Sequence, residues 1–279
     1  MWVGLFNLLY PWTDTTFQPN IIKYIASQGW DGPLVEIFME LKDGSLESLV
    51  RNRDTPASAF NSVFPHMLQA LDCLAWNGII HRDVKPANIL YTLQADGQYQ
   101  FQLGDFGLCS LAITAASTVG TYLYMAPEMF QKGMQTPKAD VWSLFVTMLW
   151  TPNIGEFRDR SNQFKSCEDV WEAVSSASNM APVSKIQEMA SLSPDKRASA
   201  AQMLVRRYNG EGLSTPRNQV PDFNISPFPA IAAAGSASTT RIRATLKARA
   251  KPIVEQKNTN LFALAAQRRG ERISPFRRP

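Results

Sequence analysis

Cysteine is scarce in this chain: Cys73, Cys109 and Cys167 are the only three in 279 residues. They are far apart and odd in number, so they supply neither a disulfide framework nor the paired spacing of a zinc site. That usage points to a reducing compartment, which makes the cytoplasm the expected location and the nucleus the alternative. Long apolar runs are missing too. No stretch approaches the ~20 residues needed to span a bilayer, so no transmembrane segment is expected. The start, residues 1–12, is apolar but has no basic n-region and no small-residue cleavage site. It reads as neither signal peptide nor membrane span.

What is present suits a folded protein. Hydrophobic residues make up 45% and charged residues 19%. That is enough apolar surface for a sizeable core and excludes a wholly disordered chain. The length suggests one large domain or two smaller ones. Charge is divided unevenly. Residues 208–279 hold 12 Lys and Arg against 4 Asp and Glu, while the remainder holds 16 against 20. A mildly acidic body therefore carries a basic tail, whose electrostatics form a separate question.

Residues 21–26 and 34–41 are short apolar runs separated by a segment containing Asp31-Gly32-Pro33, which predicts a β-hairpin. Asp43-Gly44-Ser45 opens a short helix that ends near Val50. Thr55-Pro56 offers an N-cap followed by proline at the first helical position. From there Phe60, Val63, Phe64, Met67, Leu68, Leu71 and Leu74 recur at three- and four-residue steps, and Gly78 closes the helix. Residues 89–92 and 99–103 read as strands around Asp96-Gly97. Residues 110–121 read as a loop. Residues 141–150 are apolar on nearly every side, the pattern of a helix buried all round. Further helices are expected over 168–175, 184–192 and 198–206. Beyond Tyr208, Pro, Ser, Asn, Ala and Arg dominate, and this stretch is expected to be mostly disordered.

The chemistry concentrates in His81-Arg82-Asp83-Val84-Lys85-Pro86-Ala87-Asn88-Ile89-Leu90, followed by Asp105-Phe106-Gly107 and, after Gly120-Thr121, by Ala126-Pro127-Glu128. In this order and context the three motifs resemble the catalytic loop, metal-binding loop and activation-segment end of eukaryotic-type serine/threonine protein kinases. The resemblance implies an α+β, protein-kinase-like fold with a mainly helical C-lobe and ATP and Mg²⁺ as cofactors. The implied reaction is transfer of the γ-phosphate to Ser or Thr hydroxyls of protein substrates. Asp83 would be the catalytic base, Lys85 would neutralise the γ-phosphate, and Asn88 and Asp105 would bind Mg²⁺. The Lys85-Pro86 pair and Thr121 match the serine/threonine branch, where the threonine contacts the catalytic Asp and Lys. Met39, Glu40 and Leu41 resemble the gatekeeper and hinge, Lys42 the hinge residue whose N–H meets adenine, and Leu90 the floor beneath it. His81 and Phe106 resemble spine members, Asp140 the anchor of the catalytic loop, and Glu128 with Arg197 the buried ion pair. Arg82, with Thr114, Ser117 and Thr118 in the loop, makes a candidate site for activation by phosphorylation.

The resemblance covers residues 18–207. Residues 1–17 stay unassigned, 18–41 form an N-lobe remnant with hinge, 42–207 form the C-lobe, and 208–279 form the basic tail. No G-x-G-x-x-G and no V-A-I-K lysine precede the hinge, and the only glycine before Gly29 is Gly4. The N-lobe therefore reads as truncated, with residues 18–41 held only by packing against the C-lobe. Phe145 stands where the family usually has glycine in the buried helix, and it requires extra room there. The missing parts keep an alternative open: a catalytically impaired pseudokinase scaffold or binding module. The tail adds a further one, since Arg241, Arg243, Lys247, Arg249 and Lys251, with Ile242 and Leu246, would suit an acidic partner such as nucleic acid or an anionic membrane. A solvated basic linker is the plainer reading of the same run.

Overall fold

A computed structural model describes residues 18–29, 34–52, 55–111, 121–130 and 135–222. Thr114, Ser117, Thr118, residues 1–17 and the tail from 223 onward lie outside the described residues.

The chain enters along an existing strand. Leu103 N donates to Asn20 O at 2.8 Å and Ile22 N to Leu103 O at 2.9 Å. The buried Asn20 amide donates to Phe101 O, and Gln102 donates to Pro19 O. Strands β1 (Tyr24–Gln28) and β2 (Glu36–Met39) then pair antiparallel, with a bulge between Tyr24 and Ala26. The expected hairpin is present, but the expectation that packing alone holds 18–41 is corrected. Backbone hydrogen bonds zip residues 20–22 to the C-lobe sheet, because their amides would otherwise be buried without partners. The hairpin's own apolar surface stays open, with Ile25 59% and Phe38 46% exposed.

Strand β3 (Gly44–Ser45) leads into helix α1 (Leu46–Arg51). Ser45 Oγ accepts from Ser48 N, and Ser48 Oγ accepts from Ser45 N. This reciprocal cap satisfies donors that a helix start leaves open. The long helix differs from expectation at its start. Residues Ala57–Phe60 form a 3₁₀ turn that buries Ala59, and α2 begins only at Val63 and runs to Trp76, with no side-chain cap from Thr55. Pro56 holds extended geometry ahead of that tight turn, so the apolar repeat spans two pieces. Gly78 closes α2 at φ +68, a conformation that favours glycine.

Strand β4 (Ile79–Ile80) pairs with β7 (Ser110–Leu111), so the stretch read as loop from residue 110 begins as a strand. Between them, β5 (Ile89–Leu93) and β6 (Tyr99–Leu103) form the hairpin expected around Asp96-Gly97, and β3 pairs along β5. Helix α3 (Lys138–Trp150) is buried on almost all sides, Trp142 and Phe145 completely. Helices α4 (Cys167–Ala177) and α5 (Ala200–Tyr208) each start with a serine capping box. The helix expected over 184–192 is instead a kinked 3₁₀ segment, Val183–Ala190, bent at Ile186.

Within the stretch read as tail, the described residues 209–222 return to α2, where Asp72, buried to 1% exposure, accepts from Ser214 N at 2.7 Å, Thr215 N at 3.0 Å and Thr215 Oγ1 at 2.6 Å. A polar composition hid this because the anchor is one carboxylate, not an apolar cluster. Among the described residues, no helix is long and apolar enough to cross a membrane.

Candidate active site

The site is assembled at the N-terminal end of α3. Asp140 lies in that helix's first turn, fully buried, and its two oxygens accept from His81 N at 2.7 Å and Arg82 N at 2.8 Å. Burial pushes its carboxyl up to about 7, while the two amides and the Arg82 charge pull it down. Arg82 sits at φ +69, which is strained for a residue with a Cβ and costs on the order of 1–3 kcal/mol. The paired Asp140 bonds hold the turn there. Arg82 Nε also donates to Leu108 O at 2.6 Å, tying the loop to the segment after Asp105-Phe106-Gly107. The His81 and Phe106 rings meet edge to face at 4.8 Å.

The turn delivers Asp83, 6% exposed, into a ring of donors. Oδ1 accepts from Thr121 N at 3.1 Å and Thr121 Oγ1 at 2.8 Å. Oδ2 accepts from Lys85 Nζ at 2.6 Å and Asn88 Nδ2 at 2.9 Å. Lys85 Nζ reaches Thr121 Oγ1 as well, at 2.8 Å. Burial works to raise the Asp83 carboxyl, but the bonds from Lys85, Thr121 and Asn88 outweigh it and hold the group below its usual range. Asp83 is therefore ionised near neutral pH. Its four acceptor positions are all taken, since a carboxylate offers about four lone-pair sites.

Asn88 and Asp105 come together through the β5–β6 hairpin. Ile89 pairs with Leu103, and one step further Gly104 N donates to Asn88 O at 2.9 Å. Asp105 follows at φ +57, exposed, with Oδ1 accepting from Gly107 N. The Asn88 amide nitrogen is spent on Asp83 O and Oδ2, which fixes the side-chain flip and leaves Oδ1 as an acceptor. An amide oxygen and an exposed carboxylate are hard oxygen donors, so this pair fits Mg²⁺, which takes few protein ligands and keeps phosphate oxygens and waters for the rest.

The residues read as hinge connect β2 to β3. Met39 ends β2 opposite Tyr24 and is 44% exposed, and Leu41 is 94% exposed. Glu40 N donates to Lys23 O, and Lys42 pairs with the Glu40 side chain at 2.9 Å. Leu90 lies on β5, packed so close to Gly104 that a Cβ there would meet it at 3.0 Å. Behind the site, Arg197 is wholly buried and binds Glu128 through two bonds, at 2.6 and 2.9 Å. It also donates to Ser191 O and Lys138 O and lies over the Trp142 ring.

Sequence reasoning missed Arg51, Trp150 and Arg158, which line a cleft of about 780 Å³ beside Lys85 and Thr121. Arg51 looks like a surface residue four positions from Glu47, and nothing in the spacing brings residue 158 to the same wall.

Residues 13–209 match the family model for the protein kinase domain. The chain belongs to that family. It is 33% identical over 135 residues to serine/threonine-protein kinase STE20 of Saccharomyces cerevisiae, covering 47% of this chain and 14% of that protein. It is 35% identical over 129 residues to serine/threonine-protein kinase shk1/pak1 of Schizosaccharomyces pombe, covering 45% and 19%. With mouse serine/threonine-protein kinase PAK 1 the identity is 37% over 130 residues, covering 45% and 23%. The chain thus matches less than a quarter of each of these relatives.

Proposed function

We propose that the chain is a serine/threonine protein kinase that transfers the γ-phosphoryl group of ATP to Ser or Thr hydroxyls of protein substrates. The observation that carries this reading is the ring of donors that keeps Asp83 ionised in a buried position. The names of the relatives point the same way.

Phosphoryl transfer is mostly positioning and neutralisation of charge. Asp83 orients the incoming hydroxyl and takes its proton at a carboxylate oxygen. All four lone-pair sites of Asp83 are engaged at rest, so one donor has to leave before a hydroxyl can enter. Lys85 is the donor that can move: its Nζ ends a flexible stem and is equally suited to a phosphate oxygen. Swinging from Asp83 Oδ2 to the γ-phosphate, it opens the base and neutralises the transferring group in one motion. Thr121 keeps Oδ1 fixed meanwhile. Asn88 Oδ1 and the Asp105 carboxylate would hold Mg²⁺, which supplies neutralisation of the phosphate oxygens. Leu90 and the backbone of residues 39–42 would hold adenine. Cysteine usage supports a reducing location, cytoplasm or nucleus. The basic run at 241–251 lies outside the described residues and carries no part of this reading.

The test is incubation of the full chain with Mg²⁺, radiolabelled ATP and a degenerate set of Ser- and Thr-containing peptides. Label is expected on Ser and Thr with the parent and not with Asp83→Asn or Asp105→Ala. Incorporation by the parent no greater than by Asp83→Asn overturns the reading.

A further inference from the structure

The cleft beside the base has a charge pattern of its own. Lys85 and Thr121, both hydrogen-bonded to Asp83, line it, and Glu47, Arg51, Arg158 and Asp159 bring further charge. Both carboxylates are engaged. Glu47 Oε1 accepts from Arg51 Nε at 3.2 Å and Nη2 at 2.6 Å. Asp159 Oδ2 accepts from Asn153 Nδ2 at 2.7 Å, and Oδ1 faces Arg158 Nε at 4.0 Å.

The guanidinium groups are less fully used, because each has five N–H donors. Among the described residues, Arg51 directs Nε and Nη2 at Glu47 and makes no hydrogen bond from Nη1. Arg158 spends Nη1 on the carbonyls of Trp150 and Thr151, which end α3, and makes none from Nη2. Its guanidinium lies over the Trp150 ring, 5.3 Å from the centroid, which fixes the plane it presents. Ala87, between Pro86 and Asn88, brings no carboxylate to this wall.

The geometry points to the cleft as a specificity site for an acidic side chain: it selects protein segments that carry Asp or Glu close to the phosphorylated Ser or Thr. An incoming carboxylate meets guanidinium donors in the planar fork arrangement that carboxylates match. An incoming Lys or Arg meets three cationic side chains, and the two carboxylates it could use already face the arginines, Glu47 at 2.6 Å from Arg51 and Asp159 at 4.0 Å from Arg158. This inference rests on the phosphoryl-transfer reading and adds the substrate class to it.

The test uses the full chain and a peptide series with one Ser acceptor in a neutral background, carrying Glu, Ala or Lys at each flanking position in turn. Both kcat/KM and direct affinity by fluorescence anisotropy are measured, at low and high salt. At one or more positions Glu is expected to exceed Lys by about tenfold, with a smaller difference at high salt. Arg51→Glu should abolish or invert that ratio while transfer to the all-neutral peptide persists. Arg158→Gln, which keeps a donor over Trp150, should halve it at least and serves if Arg51→Glu does not fold. Transfer that shows no preference, or a preference for Lys, overturns the inference and leaves the kinase reading intact. Absence of transfer to every peptide overturns the kinase reading. In that case, anisotropy showing Arg51-dependent binding of Glu peptides still upholds the acidic cleft, and its absence removes both.

Discussion

His81 Nε2 donates a hydrogen bond to the Gly104 carbonyl at 2.9 Å, joining the turn that holds Asp83 to the segment that leads from β6 to Asp105. A carbonyl can only accept, so this bond fixes the tautomer, with Nδ1 left to face Asp83 N–H at 3.4 Å. The ring is fully buried, and burial pulls its pKa down to about 4, against smaller upward pulls from the Gly104 bond and from Asp83 and Asp105. A base whose folded pKa is depressed stabilises fully above the unfolded value near 6.5. That contribution is lost as pH falls from there toward 4, because only the unfolded chain takes up the proton. The shift corresponds to roughly 3 kcal/mol. Asp140, raised from 3.8 to about 7 by burial, pulls the other way across the whole of this window, and His66, lowered by burial, pulls the same way as His81. The measurement is therefore a difference. Stability of the full chain by urea titration should fall more steeply between pH 6.5 and 4 than that of His81→Phe. Equal slopes would sink the assignment of a neutral buried His81.

Local chemistry made most of this site legible. The motifs around Asp83, Asp105 and Glu128 are contiguous in sequence, and the partners Asp140, Thr121 and Arg197 follow from the family pattern. The structure sets Asp83 against Thr121, Asp140 against the backbone of His81 and Arg82, and Glu128 against Arg197. What stayed hidden depends on contacts between distant residues without a pattern of their own. Asn20 and Gln102 sew the entry segment to β6 through side-chain amides, which no periodicity reveals. The Asp72 anchor looks like one more helix-surface acid. The start of α2 was misplaced because Thr55-Pro56 carries good capping residues, yet the turn that follows them is 3₁₀ and tucks Ala59 inward.

Thr121 gives Asp83 Oδ1 two bonds and Lys85 Nζ an acceptor, so under the proposed kinase reading it positions the base. Thr121→Ala removes the hydroxyl but keeps the amide. We expect kcat to fall roughly ten- to hundredfold, a part of what a general base contributes, with KM for ATP little changed. Loss of a donor to the carboxylate should also move the acidic limb of the kcat–pH profile upward. Thr121→Ser should restore both, and Thr121→Val should behave as alanine does. A unchanged pH limb in Thr121→Ala would count against the role.

Arg197 tests the buried ion pair. Its guanidinium meets Glu128 through two parallel bonds, caps two carbonyls and stacks on Trp142. Lysine keeps the charge but cannot reproduce the fork. Arg197→Lys should lose about 3–5 kcal/mol by urea unfolding, since it leaves Glu128 and the carbonyls poorly matched in the interior. A loss below about 1 kcal/mol, the level of an exposed pair, would mean that the site admits water and that the pair is not structural.

Asp72 anchors the segment that follows α5. Its buried carboxylate takes three donors from Ser214 and Thr215, and through them residues 209–222 close against α2. Asp72→Ala strands two backbone amides that had been satisfied, so it should cost about 2–4 kcal/mol. Ending the chain after Tyr208 removes the same three bonds from the other side, which should cost a similar amount. The two changes act on one interaction, so they should not add: in the shortened chain Asp72→Ala should be close to neutral or stabilising. Thermal and urea unfolding of the parent, both single changes and the combination measure this directly. Full additivity of the two losses would show that residues 209–222 are held by something other than Asp72.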